Sequence, residues 1–254
     1  MKDLKYLFAY TVPISVYISF MSTGIWTYST VFYVFILLPI LDFLLGESKE
    51  NFSKEDASHQ NKKWIFDIML YFNIPIIFGL LYIVFSSFQS NDYNVFETVG
   101  LAFSTGLLLS INGINVAHEL GHRKPYYERF LSKLLYMPCL YMHFYIEHNF
   151  GHHLHVATPE DGATAKYNQS VYSFWFTSVT KQYFDAWKNQ KKLLKTKNSS
   201  FISIKNDMIW YHLIQPLYLF VIYYLFSFEV MIFALAVGII SFLFLECINY
   251  IEHY

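Results

Sequence analysis

Residues 115–165 read NVAHELGHRKPYYERFLSKLLYMPCLYMHFYIEHNFGHHLHVATPEDGATA, and they hold seven of the chain's ten histidines. These are His118, His122, His143, His148, His152, His153 and His155. Imidazole is the commonest protein ligand for transition metals, so histidines clustered at helical spacing mark a candidate metal site. His118 and His122 stand four apart, which on a helix projects both rings from one face. His148 and His152 repeat that spacing, and His153 adds a ring about 100° further round. Two such helices facing each other present five imidazoles to a common centre. That exceeds the four donors of a closed zinc site and suits two metal ions with open positions.

HELGH also fits the H-E-x-x-H pattern of zinc proteases, with Glu119 as general base between His118 and His122. The further histidines in EHNFGHH exceed what such a site needs. His253, in the terminal NYIEHY, is a long-range ligand candidate, because a helix starting near Glu229 returns it to the same side as the clusters. Glu246, Asn249 and Glu252 line that end at near-helical spacing. Glu119, Glu147, Glu160 and Asp161 are carboxylates able to orient ligand imidazoles through the other ring nitrogen; Glu160 and Asp161 could instead cap a helix after Pro159. His143 and His155 flank the second cluster as supporting or interfacial groups. His59 and His212 lie outside the clusters and read as structural.

The frame around this stretch is a membrane protein. The composition is 55% apolar and 21% aromatic, well above a soluble domain in Phe and Tyr. A net charge of −1 supports no nucleic-acid reading. The cysteines, Cys139 and Cys247, are far apart and form no metal or disulfide motif. The expected fold is all-α, one integral-membrane domain over 1–254. Its six spans fall near 7–24, 26–45, 64–88, 95–116, 210–226 and 230–248, with a metal-binding region at 117–207. A polar loop, Gly46–Lys63, separates the second span from the third.

With six spans, the loops at 21–27, 86–94 and 227–229 contain no Lys or Arg. By the positive-inside rule the histidine face is then cytoplasmic and the protein a multi-pass one of the bacterial inner membrane. Phe130–Ile146 could pass for a seventh span. Crossing there would part His118 from His148 by roughly 25 Å, so the stretch reads as a re-entrant or interfacial hairpin. Residues 170–205 mix apolar and basic side chains as an interfacial helix does.

NxxHELGHRK, EHNFGHHLHVATPEDGATAK and NYIEHY together resemble the bacterial integral-membrane alkane hydroxylases, a likeness that extends over nearly the whole chain. The resemblance implies a non-haem centre of two iron ions held by histidine, with O2 as oxidant, hydroxylating the terminal carbon of medium- to long-chain alkanes. It implies electrons from rubredoxin and its NAD(P)H-dependent reductase. The matching ligands are His118, His122, His148, His152, His153 and His253. Xylene monooxygenase and the membrane desaturases are chemical neighbours; an intramembrane zinc protease is the alternative carried by HELGH. Trp26 is a candidate stop for an alkane tunnel, or else an interfacial anchor. The resemblance further implies another histidine box downstream of the last span. The expectation is therefore that the 254 residues are a fragment lacking some ligands and inactive alone.

Overall fold

A computed structural model describes residues 2–46 and 64–253. The polar loop beyond Gly46, and His59 with it, lies outside the described residues. Five helices are long and apolar enough to cross a bilayer, and a shorter apolar helix precedes them. We number the helices α1 (Tyr6–Phe20), α2 (Gly24–Leu45), α3 (Trp64–Ser90), α4 (Val95–Gly121), α5 (Tyr126–Tyr136), α6 (residues 144–155), α7 (Val171–Thr196), α8 (Asp207–Leu225) and α9 (Phe228–Glu252). The described residues contain no strand. The first expected span is thus the short one: α1 rises only about 22 Å, against about 30 Å of hydrocarbon.

α4 is the helix around which the rest pack. Its apolar window is 78% buried, against 6% for α2, which leaves α2 facing lipid. An asparagine capping box starts α4: Asn94 Oδ1 accepts from the Glu97 N–H (3.0 Å) and Glu97 Oε2 from the Asn94 N–H (3.1 Å). The other Glu97 oxygen accepts from the Gly24 N–H at 2.7 Å, so one carboxylate fixes the starts of both α2 and α4. α4 and α9 touch across glycine: a Cβ on Gly106 would lie 2.4 Å from Ile240, so only Gly allows this approach, as in close-packed membrane helices. Within the bundle Ser19, Thr30 and Ser104 bond to one another, which satisfies hydroxyls that lipid could not.

The tempting seventh span does not form. α5 ends at Tyr136, and the chain turns through a buried stretch in which Leu140 has φ 53°, a left-handed conformation that no continuous helix accommodates. α5 and α6 are therefore two arms of a hairpin, as the shared-site argument required. α7 departs from a purely interfacial helix. Phe174, Ser178, Gln182, Ala186 and Leu194 form a buried stripe along it, packed on α6 and α9, and only its opposite face presents lysines. Nor does a helix follow Pro159: residues 156–170 run as turns and irregular chain up to α7.

The short turns at 91–94 and 226–227 lie at the opposite end of the bundle from the histidines, because α4 and α9 each run their full length between them. In a background without Cys139 and Cys247, a cysteine at Asn91 should react with an impermeant maleimide on intact cells and one at Lys188 should not. The reverse pattern would invert the topology.

Candidate metal centre

The histidine face is assembled from three helix ends. α4 delivers His118 on its last turn and His122 just past it. α6 delivers His148, His152 and His153, and α9 ends one residue before His253. The ring nitrogens of His118, His122, His148 and His153 all lie within 4.8 Å of one another. The Nε2–Nε2 separations are 2.6 Å for His118–His148, 3.0 Å for His118–His122, 3.2 Å for His122–His148 and 3.3 Å for His122–His153. Neighbouring donors on one ion at about 2.1 Å stand roughly 3.0–3.4 Å apart, so the set fits a single transition-metal ion.

His153 joins this group, and His152 does not. The cause is a widened turn at His148–His152, where the His153 N–H reaches back to the His148 carbonyl. In a regular α-helix residues five apart are about 140° apart around the axis. Closing the turn at i→i+5 brings them nearer one face. His152 turns toward Asp161 instead, with Nδ1 at 3.0 and 3.1 Å from its two carboxylate oxygens. That contact makes Nδ1 the protonated nitrogen and leaves the Nε2 lone pair free, the arrangement metal-bound imidazoles use. The His253 ring centroid is 4.9 Å from that of His152. These two imidazoles make a second, sparser group beside the first.

The carboxylates sort themselves clearly. Asp161 is tied further by the Ala163 N–H (3.1 Å) and the Thr164 hydroxyl (2.6 Å). Burial works to raise it, but the bonds from His152, Thr164 and Ala163 prevail and hold it below the usual carboxylate range. Glu147 is pushed up to about 8 by burial, and then by Asp161 and Glu246, so it is protonated at neutral pH. Glu119 is exposed and turned to Arg123, 3.3 Å away, rather than to an imidazole. Glu160 offers only its backbone carbonyl, to Lys181 Nζ at 2.5 Å. Trp26 is 63% exposed at the start of α2, where an interfacial anchor belongs.

Other expected residues are equally placed. His143 is buried between the rings of Tyr141 and Tyr183, outside both histidine groups. His155 is exposed. His212 is structural, accepting or donating to Tyr183 Oη and the Met208 carbonyl at 2.7 Å each. A buried network behind the site was not anticipated. Glu246 accepts from Tyr141 (3.0 Å), Ser178 (2.6 Å) and Gln182 (3.0 Å). It therefore locks α9 to α7 two turns before His253. The polar stripe Ser178–Gln182 at i, i+4 was the available signal.

Burial and neighbouring imidazoles hold His148 and His153 below the usual histidine range. Both are neutral at physiological pH, the form that binds metal. The class is thus a multi-pass, all-helical membrane protein with a histidine-rich site for a metal cofactor. The model of the fatty acid desaturase family matches residues 95–254, and the chain belongs to that family. It is 31% identical over 246 residues to alkane 1-monooxygenase 2 of Alcanivorax borkumensis, covering 96% of this chain and 64% of that one. To alkane 1-monooxygenase 2 of Pseudomonas aeruginosa it is 32% identical over 235 residues, covering 90% and 61%. The xylene/toluene monooxygenase hydroxylase component of Pseudomonas putida is 26% identical over 220 residues, covering 83% and 56%. The chain therefore spans somewhat under two thirds of the length of these relatives.

His143 supplies a pH test. Burial lowers it to about 3 from 6.5, so the unfolded chain binds more protons between those values. Stability then rises with pH across the window and is lost as pH falls below 6.5, by about 2 kcal/mol at pH 5. Thermal unfolding of His143→Phe should lose less between pH 7.5 and 5 than the parent does; parallel curves would contradict this.

Proposed function

We propose that the protein is a membrane-bound non-haem di-iron monooxygenase, hydroxylating the terminal carbon of medium- to long-chain alkanes with O2. Rubredoxin and its NAD(P)H-dependent reductase would deliver the electrons. The observation that carries this reading is the four-imidazole convergence of His118, His122, His148 and His153, with His152 and His253 beside it. Such a carboxylate-poor, thiolate-free donor set suits a redox metal, and the named relatives hydroxylate hydrocarbons by their printed titles. Iron held there would supply the O2 activation that an unactivated C–H bond requires, since such a bond offers nothing to acid, base or nucleophile.

The chain's own residues have definite parts in this. His118, His122, His148 and His153 would hold one ion, and His152 and His253 contribute to the second. Asp161 fixes the His152 tautomer. Neutral Glu147 sits one residue before His148 at 2% exposure, so it adds no negative charge beneath the donors. The apolar flanks of the bundle hold alkane where it dissolves and exclude water from the site. The domain is a single membrane unit over 1–254, of the inner membrane, with the metal face toward the cytoplasm. That orientation rests on Lys and Arg being absent from the opposite loops. The zinc-protease reading is disfavoured by Glu119, which bonds Arg123 instead of standing free as a base.

The test uses the complete natural protein. His148→Ala should abolish bound iron and the conversion of octane to 1-octanol while membrane insertion persists. Asp161→Asn should weaken iron binding by about 10–100-fold. Zinc at one ion per chain in the parent, or full iron content in His148→Ala, would sink the proposal.

A further inference from the structure

On the same side of the bundle, away from the histidines, a cavity of about 360 Å³ opens between α5, α6, α7 and the start of α8. Its basic lining is Arg129, Lys133, Lys197 and Lys205, and its one acidic residue is Asp207. Lys133 is spoken for: its Nζ lies 2.7 Å from Asp207 and over the Tyr145 ring at 4.9 Å. Arg129, Lys197 and Lys205 have no ion pair among the described residues. The cavity therefore carries three uncompensated positive charges. Gln190, 3% exposed, lines it too, and its Oε1 has no hydrogen-bond partner among the described residues. A buried amide oxygen left this way costs free energy unless a donor arrives.

Location narrows the ligand. Asp207 is the first residue of a membrane span, and α5 follows directly on the end of another. The cavity thus sits at the level of lipid headgroups. Its remaining wall is apolar, with Tyr126, Phe130 and Phe150. The adjoining loop leaves Ile202 85% and Ile204 82% exposed, and the Trp210 indole N–H pins that loop through the Ile204 carbonyl at 3.0 Å. Exposed isoleucines beside lysines suit a surface that enters the acyl boundary while its cations meet phosphate.

We propose that this cavity is a binding site for one anionic phospholipid of the leaflet on the histidine side, with phosphatidylglycerol as the fitting chemistry. Arg129, Lys197 and Lys205 surround the phosphate. A headgroup hydroxyl donates to Gln190 Oε1, and the acyl chains run down Phe130 and Phe150. Bound there, the lipid bridges α5, α6 and α7 to the α8 entry. The inference stands apart from the oxygenase reading, since it needs neither metal nor electron donor.

The complete natural protein, purified from membrane and returned to nanodiscs of mixed phosphatidylglycerol and phosphatidylcholine, is stripped with mild detergent. Retained lipid is then counted by mass spectrometry. The parent should keep about one phosphatidylglycerol per chain, and the triple variant Arg129→Gln, Lys197→Gln, Lys205→Gln at least about tenfold less. The charge-keeping pair Lys197→Arg, Lys205→Arg should retain it, and an unchanged melting temperature in phosphatidylcholine alone confirms that the triple variant folds. If that variant does not fold, Lys205→Gln alone is read the same way. Equal retention by parent and variant, or no preference over phosphatidylcholine in the parent, overturns the proposal. So does displacement of the lipid by millimolar inorganic phosphate, which would mark a phosphate site without a lipid.

Discussion

Four neutral imidazoles gain little from one another, and bringing their nitrogens within 4.8 Å costs side-chain freedom and hydration. The surrounding helices must impose the arrangement. α4 supplies two rings and is held by the close Gly106–Ile240 approach and the shared Glu97 carboxylate. α6 supplies the others and is held from behind by α7. Because each ring comes from a helix end, small rotations of a helix would translate into ångström-scale errors at the nitrogens. The dense packing of α4 is therefore what makes the site geometrically possible.

Burial does two things at once. It strips water from the rings, lowering His148 and His153 so that both remain unprotonated, and it removes competing hydrogen-bond partners. It also raises Glu147 to about 8, which spares the site an anion. Asp161 remains ionised because three donors hold its oxygens. Two carboxyl groups close to one another thus take opposite charge states from their surroundings alone. His152 owes its orientation to the ionised one.

The i, i+4 pairs and the apolar spans were readable from residue order, because both depend on local periodicity. The hairpin at Phe130–Ile146 was readable as well, since a crossing would have separated the two histidine pairs. The split between His152 and His153 was not: a widened turn leaves no mark in composition, and α-helical angles assign both to the wrong neighbours. Glu119 was read as a ring-orienting group because its partner was invisible; Arg123 lies one turn on and captures it. α7 looked interfacial because its lysines dominate the pattern, while the polar stripe of Ser178 and Gln182 resembles solvent-facing residues until Glu246 is seen opposite. A buried polar face cannot be told from an exposed one without its counterpart.

The widened turns bear on how such a protein tolerates change. One lies at Leu109–Ile114, just before His118, and another at His148–His152. Each amounts to one surplus residue absorbed into a helix without a loop. Deleting a single residue within Leu109–Ile114 would let α4 revert to regular winding and swing everything beyond it by about 100°. Both His118 and His122 would leave the site, though neither had been touched. Insertions and deletions in this helix are thus far more disruptive than substitutions, and the surplus residue acts as the phase setting that keeps two distant histidine pairs in step.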